Sequence, residues 1–426
     1  MSIAALITRQ RLGRLTGFAS TQLAVQLIGF GAGIVLVRCM AQAQYGYYTL
    51  AISMASVANI LTDLGLATAV MAIGGRLLGQ RQALGALVAD ANGLHRRLAA
   101  WSFAVLIPCC ALLLLRQQAP TWQVVVLTVL IIAAAALNVR VGIALSIARL
   151  SGHVALQQKL DLFINAAKLV AVLLLASVAL DATVACALNL AVAAAYFVTL
   201  RRYMAEQVEV PAVATGGQLP ALRQHLWKQA PNSIYFVLSS QLAVWLIGVF
   251  GSAERVAEVG ALGRLGAGFA VIGSVSAALV LPYFARHDGP AELMSGFVSV
   301  NAFYAALLAL LLSLASAFPA AILWVLGGTY GGLQSELVWM ILASTLATWG
   351  GSVYSIGCAR GWVMPLWLVV STGVAATAIA ASLVDVSTVR GSFQINTATG
   401  AVGVAVAIGY FTWKLRRHAH LKASAA

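Results

Sequence analysis

Apolar runs of roughly 18 or more residues recur from one end of this 426-residue chain to the other, separated by short stretches that hold most of its charge. Runs such as 124–137 are continuous rather than alternating, so they do not suit the strands of a membrane barrel. A bilayer offers the backbone no water, and helices satisfy their hydrogen bonds within one segment. The pattern places about twelve spans, roughly at 17–37, 46–74, 98–115, 122–145, 160–180, 182–200, 230–250, 258–282, 296–326, 336–359, 363–384 and 393–413. The expected fold class is all-α: a polytopic membrane protein with about twelve transmembrane helices in two six-helix bundles.

Composition sharpens this. The chain is 61% hydrophobic and 9% charged, with a mean hydropathy of +0.92, which a water-facing surface does not permit at this length. The first run, 17–37, follows Arg9, Arg11 and Arg14 and precedes the triplet Ala41-Gln42-Ala43, but it has the length of a full span rather than of a cleavable signal segment. A net charge of +14 in a soluble protein would suggest nucleic acid. Here nineteen of the 26 Lys and Arg residues fall in loops on one side of the twelve-span scheme, while Arg38, Arg116, Arg255 and Arg390 fall on the other. The positive-inside rule makes the first side cytoplasmic, with both termini on it, and the excess charge is then a matter of topology and anionic headgroups rather than nucleic acid. Cys39, Cys109, Cys110, Cys186 and Cys358 show no CxxC spacing and read as small packing residues.

The longest polar interval, 201–228, contains Pro211, Gly216, Gly217 and Pro220 and reads as a cytoplasmic linker. The expected organisation is a bundle over 1–205, a linker over 206–228 and a second bundle over 229–426. The segment 20–29 (STQLAVQLIG) matches 239–248 (SSQLAVWLIG) at eight of ten positions, including Gln22 and Gln241. Two halves of the same orientation, related by duplication, are the arrangement that alternating access uses, with a site near the midplane.

Further along, Tyr45-Gly46 precedes the second span, and Asp63-Leu64-Gly65-Leu66 lies within it. Ala230-Pro231 opens the seventh span, Val259-Gly260 with Arg264 and then Pro282 lie in the eighth, and Gly327-Gly328-Thr329-Tyr330 follows in an outer loop. In this order the set resembles the Wzx-type polysaccharide flippases of the multidrug/oligosaccharidyl-lipid/polysaccharide exporter superfamily. The resemblance covers nearly the whole chain, each motif being short. It departs where Gln241 is followed by Leu242-Ala243-Val244-Trp245 instead of an acidic residue, which puts ion coupling by that helix in doubt. The resemblance implies a bacterial cytoplasmic-membrane protein that flips a polyprenyl-pyrophosphate-linked oligosaccharide to the outer leaflet. It also implies partners among membrane lipids and other polysaccharide-assembly membrane proteins.

Charges retained at membrane depth usually face a cavity or a partner. Arg140, Lys168 and Arg264 lie inside spans, and Arg38 stands near a span end. These four are the candidate substrate-binding residues, since a pyrophosphate attracts cations and Arg can hold two of its oxygens. Three of them also have a structural reading: Arg38 can snorkel, Arg140 can reach the cytoplasmic interface or pair with a carboxylate, and Lys168 can pair through a neighbour with Asp161 two helical turns away. Asp63, Gln22 and Gln241 are candidates for gating or coupling, while Asp63 can equally serve as a local hydrogen-bond acceptor at a bend. Gly29 with Gly33, and Gly13 with Gly17, read as close-packing motifs. Tyr45, Tyr47, Tyr48, Trp122, Tyr283, Trp362 and Trp413 read as interface anchors, and the six histidines as solvated loop residues. No metal site, cofactor or GxxxxGK[ST] phosphate loop is expected. Two rivals stand beside the flippase: a multidrug exporter of the same superfamily, whose cargo is usually cationic, and an intramembrane glycan polymerase or ligase. The latter would need a substantial outer loop bearing acid and base groups, so a non-enzyme is expected.

Overall fold

The computed structural model describes residues 9–177, 180–209, 211, 216–287 and 289–425; the side chains of residues 9–20, 22, 154, 275, 277–279, 285 and 421–425 lie outside what it describes. In chain order the helices are α1 (Arg9–Cys39), α2 (Gln42–Asp63), α3 (Leu66–Gly74), α4 (Arg81–Arg116), α5 (Thr121–Leu150), α6 (Val154–Ala176), α7 (Ala182–Gln207) and α8 (Leu219–Phe250). There follow α9 (Ala253–Gly266), α10 (Gly268–Arg286), α11 (Pro290–Ala317), α12 (Pro319–Trp324), α13 (Gln334–Ala359), α14 (Leu366–Leu383) and α15 (Val389–Ala425), and no strand occurs among the described residues. With α2–α3 and α9–α10 each forming one interrupted pass and α12 a short piece between passes, the order matches the expected spans.

Among the described residues ten helical stretches are long and apolar enough to cross a bilayer. The two passes outside that group are α1, described in its apolar part as Leu23–Cys39, and α6, which carries three charges, Lys159, Asp161 and Lys168, in an otherwise apolar stretch. The protein is a multi-pass membrane protein. Its surface is inverted relative to a soluble one: Trp101, Leu112, Leu174 and Leu383 are exposed, while Thr62, Asp90, Ser146 and Ser392 are buried. Outward apolar side chains lose nothing in hydrocarbon, whereas buried polar ones need partners. Ser146 Oγ, for example, donates to the carbonyls of Ala67 and Gly142.

Packing divides the chain into two units, residues 1–242 and 243–426. In the first, α5 packs on α2, α3, α4 and α7, and α1 packs on α6. In the second, α13 is central, against α10, α11 and α15. The second core is aromatic: Phe297 stacks on Phe411 at 4.3 Å between ring centroids, and Trp349 donates from Nε1 to Asn301 Oδ1 at 2.8 Å.

The first unit runs into α8, and within the interval 206–228 the described chain is held to that unit. Val208, Leu222 and Leu226 belong to the same buried cluster as Leu84, Leu87 and Ile143. The fully buried Asp90 of α4 accepts backbone N–H groups from Gly216 at 2.8 Å and Gln218 at 2.9 Å, tying the start of α8 to α4.

Four expectations are corrected. The third pass begins at Arg81, not at 98, because Leu84, Leu87, Val88, Ala91 and Leu94 repeat at helical spacing and form a buried stripe. His95 consequently lies inside α4, 2% exposed, with Nδ1 3.3 Å from the Thr62 carbonyl oxygen, and is no loop residue. Tyr45, Tyr47 and Tyr48 are buried rather than interfacial, and Tyr47 Oη donates to the Gln117 carbonyl at 3.2 Å. Trp122 and Trp413 are exposed, as anchors would be. A Cβ on Gly29 would meet nothing within 4 Å, so that glycine provides no close approach, while the Gly13–Gly17 pair lies where side chains are not described.

Replacing Asp90 by Ala removes the acceptor from two part-buried donors, and is expected to lower stability by about 2 kcal/mol. Thermal unfolding in detergent measures the loss, and limited proteolysis should show earlier cleavage ahead of α8.

Candidate functional site

The second pass breaks at two successive left-handed residues, Leu64 with φ 43° and Gly65 with φ 87°. The break frees the first N–H groups of α3, and Asp63 takes two of them: Oδ2 from Gly65 and Oδ1 from Ala67, both at 3.0 Å. That is the geometry of a helix cap. A side chain at Gly65 would be strained in φ and would run into Gln229 of α8, whose Oε1 accepts from Thr68 Oγ1 at 2.9 Å. Both Asp63 oxygens are therefore engaged in shaping the bend, as its local reading requires.

A better candidate for reversible ion chemistry lies elsewhere in the first unit. A cavity of about 330 Å³ opens between α2, α5, α6 and α7, with the polar side chains of Ser56, Asn59, Asn138, Asp161, Asn189 and Tyr196 on its walls. Asp161 is its carboxylate. Tyr196 Oη donates to Asp161 Oδ1 at 2.7 Å, and Gln157 Nε2 to Oδ2 at 3.4 Å. Gln157 in turn accepts from Arg149 Nε at 2.9 Å, so a hydrogen-bonded chain leads from the end of α5 to the cavity. Across the cavity Asn138 Nδ2 donates to Asn59 Oδ1 at 3.3 Å. Charge alone had drawn attention along the sequence; the signal for this site was the scatter of Asn residues through otherwise apolar helices, each needing a polar neighbour.

The expected cations are spread out. Arg38 is in the last turn of α1 and exposed. Arg140 is exposed on α5 with its guanidinium carbon 6.0 Å from the Phe197 ring centroid. Lys168 is half-buried on α6. Measured along the helices from the α5–α6 turn, Arg140 lies about 15 Å away and Lys168 about 21 Å away. These three belong to the first unit and lie at different heights in it, not in one ring. Arg264 belongs to the second unit, half-buried near the end of α9, where the helix bends into α10 at Ala267. Gln241 donates to Ser240 Oγ at 3.1 Å, and the Gln22 side chain lies outside the described residues. The second unit has its own cavity of about 290 Å³, walled by hydroxyls of Ser276, Thr348, Ser352 and Ser355 beside Gly273 and Gly351. Among the described residues no cluster of His, Cys, Asp and Glu is suited to a metal ion.

Comparison with solved structures gives this arrangement a fold. An inward-facing multidrug resistance MATE family transporter of the MOP superfamily matches with a TM-score of 0.71 at 12% identity, over 96% of this chain and 100% of that one. The lipid II flippase MurJ in its inward closed conformation matches with a TM-score of 0.75 at 8% identity, over 93% of this chain and 87% of that one. A MOP superfamily transporter from Pyrococcus furiosus, whose binding pocket is described as having reverse polarity, matches with a TM-score of 0.62 at 13% identity, over 95% and 94%. No family model matches the sequence, and no curated protein does. The chain has the fold that these MATE and MurJ structures share.

The geometry separates capping residues from exposed cations. Asp63→Ala is expected to cost about 1–2 kcal/mol through loss of the cap. Arg140→Gln should stay within about 0.5 kcal/mol of the parent. Unfolding temperatures of the purified proteins in one detergent test both.

Proposed function

We propose that this protein is a transporter that moves a polyprenyl-pyrophosphate-linked oligosaccharide from the inner to the outer leaflet of a bacterial cytoplasmic membrane by alternating access, as part of cell-surface polysaccharide synthesis. The observation that carries this reading is the sign of the charge retained at membrane depth. Arg38, Arg140, Lys168 and Arg264 are cations, and in the first unit Asp63 and Asp161 are both held in hydrogen bonds. Cations at several heights suit a diphosphate that has to be held at more than one stage of its passage, and guanidinium groups match its oxygens in pairs. The likeness in fold to a lipid II flippase agrees with a lipid-linked cargo. Coupling to a proton or alkali cation is assigned to Asp161 with Tyr196, which line a cavity, in preference to Asp63.

The second reading is a multidrug exporter. The carboxylate of Asp161 on the wall of a cavity favours it, since a buried acid attracts cationic drugs, as does the likeness in fold to a MATE transporter.

One set of variants decides between them. With protein levels matched in cells, Arg140→Gln and Arg264→Gln are each expected to reduce export of lipid-linked oligosaccharide about tenfold, the loss of one charge-assisted contact. Resistance to cationic drugs should stay unchanged. Full export in all four single cation variants overturns the flippase reading, and drug sensitivity appearing in Asp161→Asn alone supports the exporter. If Asp161 couples transport, Asp161→Asn is expected to abolish the dependence of export on the ion gradient, measured in vesicles with imposed gradients.

A further inference from the structure

A second polar cavity lies in the first unit, away from the one that holds Asp161. Its volume is about 370 Å³, and it opens between the end of α3 and the first turns of α8. Arg76, Lys228 and His225 line it, with the amides of Gln218 and Gln224, over an apolar floor that includes Ile73 and Leu77. Among the described residues no acidic side chain lies on its wall. The cavity is built, not adventitious. Thr68 and Gln229 join α3 to α8, and Asp90 fixes the backbone of Gly216 and Gln218 at the start of α8. Its cations therefore stand on two helices that are tied together.

His225 is half-buried on the wall, and its shielded Nε2 has no hydrogen-bond partner among the described residues. An imidazole nitrogen without a partner is costly, and a turn of the ring toward the cavity would let a ligand oxygen satisfy it. Beside His225 and Lys228 on α8, Trp227 is 78% exposed, as an indole anchored at a membrane interface would be.

We propose that this cavity binds a phosphate group at the basic end of the first unit: Arg76 and Lys228 neutralise it, and His225, Gln218 and Gln224 donate to its oxygens. The apolar floor gives room for the chain that such a group carries. The shared chemistry is a phosphate ester at the membrane surface, either the headgroup of an anionic phospholipid or the diphosphate of a lipid carrier. The site does not depend on the function proposed above, since a phospholipid would occupy it in any transporter of this fold.

The test uses the full chain in nanodiscs, with calorimetric titration of inorganic pyrophosphate. In phosphatidylcholine discs the parent protein is expected to bind saturably, and R76Q/K228Q should bind about tenfold more weakly. Because both side chains are exposed, its unfolding temperature should match the parent's, and the single variants R76Q and K228Q, each weakened a fewfold, give a second reading. R286Q/R416Q removes the same charge from the second unit and should bind like the parent. Repeating the titration in discs with one-third phosphatidylglycerol identifies the occupant: weakened pyrophosphate binding assigns the site to a phospholipid headgroup, and unchanged binding assigns it to a diphosphate. No saturable binding, binding by R76Q/K228Q equal to the parent, or an equal loss in R286Q/R416Q would overturn the proposal.

Discussion

The constraint that governs this molecule is that hydrocarbon accepts no hydrogen bonds. Every peptide group in the spans has to be satisfied within its own helix, and any place where a helix is interrupted has to supply a substitute. At the break of the second pass the substitute is the Asp63 carboxylate, which takes two N–H groups freed by Leu64 and Gly65. At the start of α7 it is Asp181, which accepts from Val184 at 2.7 Å, and at the start of α8 it is Asp90 reaching across from α4. Acidic residues are scarce in this chain, 12 against 26 basic ones, and several of the few it has are committed to such repairs. This division of labour bears on how the remaining charges are read. An acid fixed in a cap is architecture, whereas Asp161 lies on the wall of a cavity.

Most of the fold was legible because hydropathy acts over some twenty residues at a time and cannot be mistaken for anything else at this density. Two regions resisted. The stretch from Arg81 to Arg97 carries three arginines and reads as a loop by average polarity, but the positions of Leu84, Leu87, Val88, Ala91 and Leu94 give one apolar face, and a helix needs only a face. The interval around Pro211 and Gly216 reads as a linker, yet its flanks are held by one buried aspartate and three aliphatic side chains that composition does not distinguish. In both, averaging over a window hides the few positions that decide.

The candidate site was less legible than the fold. The cations are conspicuous in an apolar chain, but sequence gives neither height nor direction, and the structure disperses them along the helices of one unit with Arg264 in the other. The cavity at Asp161 was invisible to a search for charge because amides and a phenol make up most of its polar wall. The basic cavity at Arg76 and Lys228 escaped notice for the opposite reason, because its residues had already been accounted for by topology. A charge that explains orientation can also hold something.

The length of α4 has a consequence for biogenesis. At 36 residues the helix is about 54 Å long, well beyond the roughly 30 Å of a hydrocarbon core, and only its second half is apolar all round. An insertion machinery that reads hydropathy would release 98–116 into lipid with Arg96 and Arg97 as the retained flank. The amphipathic turns before them would remain at the surface until α3 and α5 arrive to cover their stripe. The helix is thus assembled in two acts, the first dictated by partitioning and the second by neighbours made both before and after it on the ribosome, so a truncated chain ending ahead of α5 would present that stripe to chaperones and proteases.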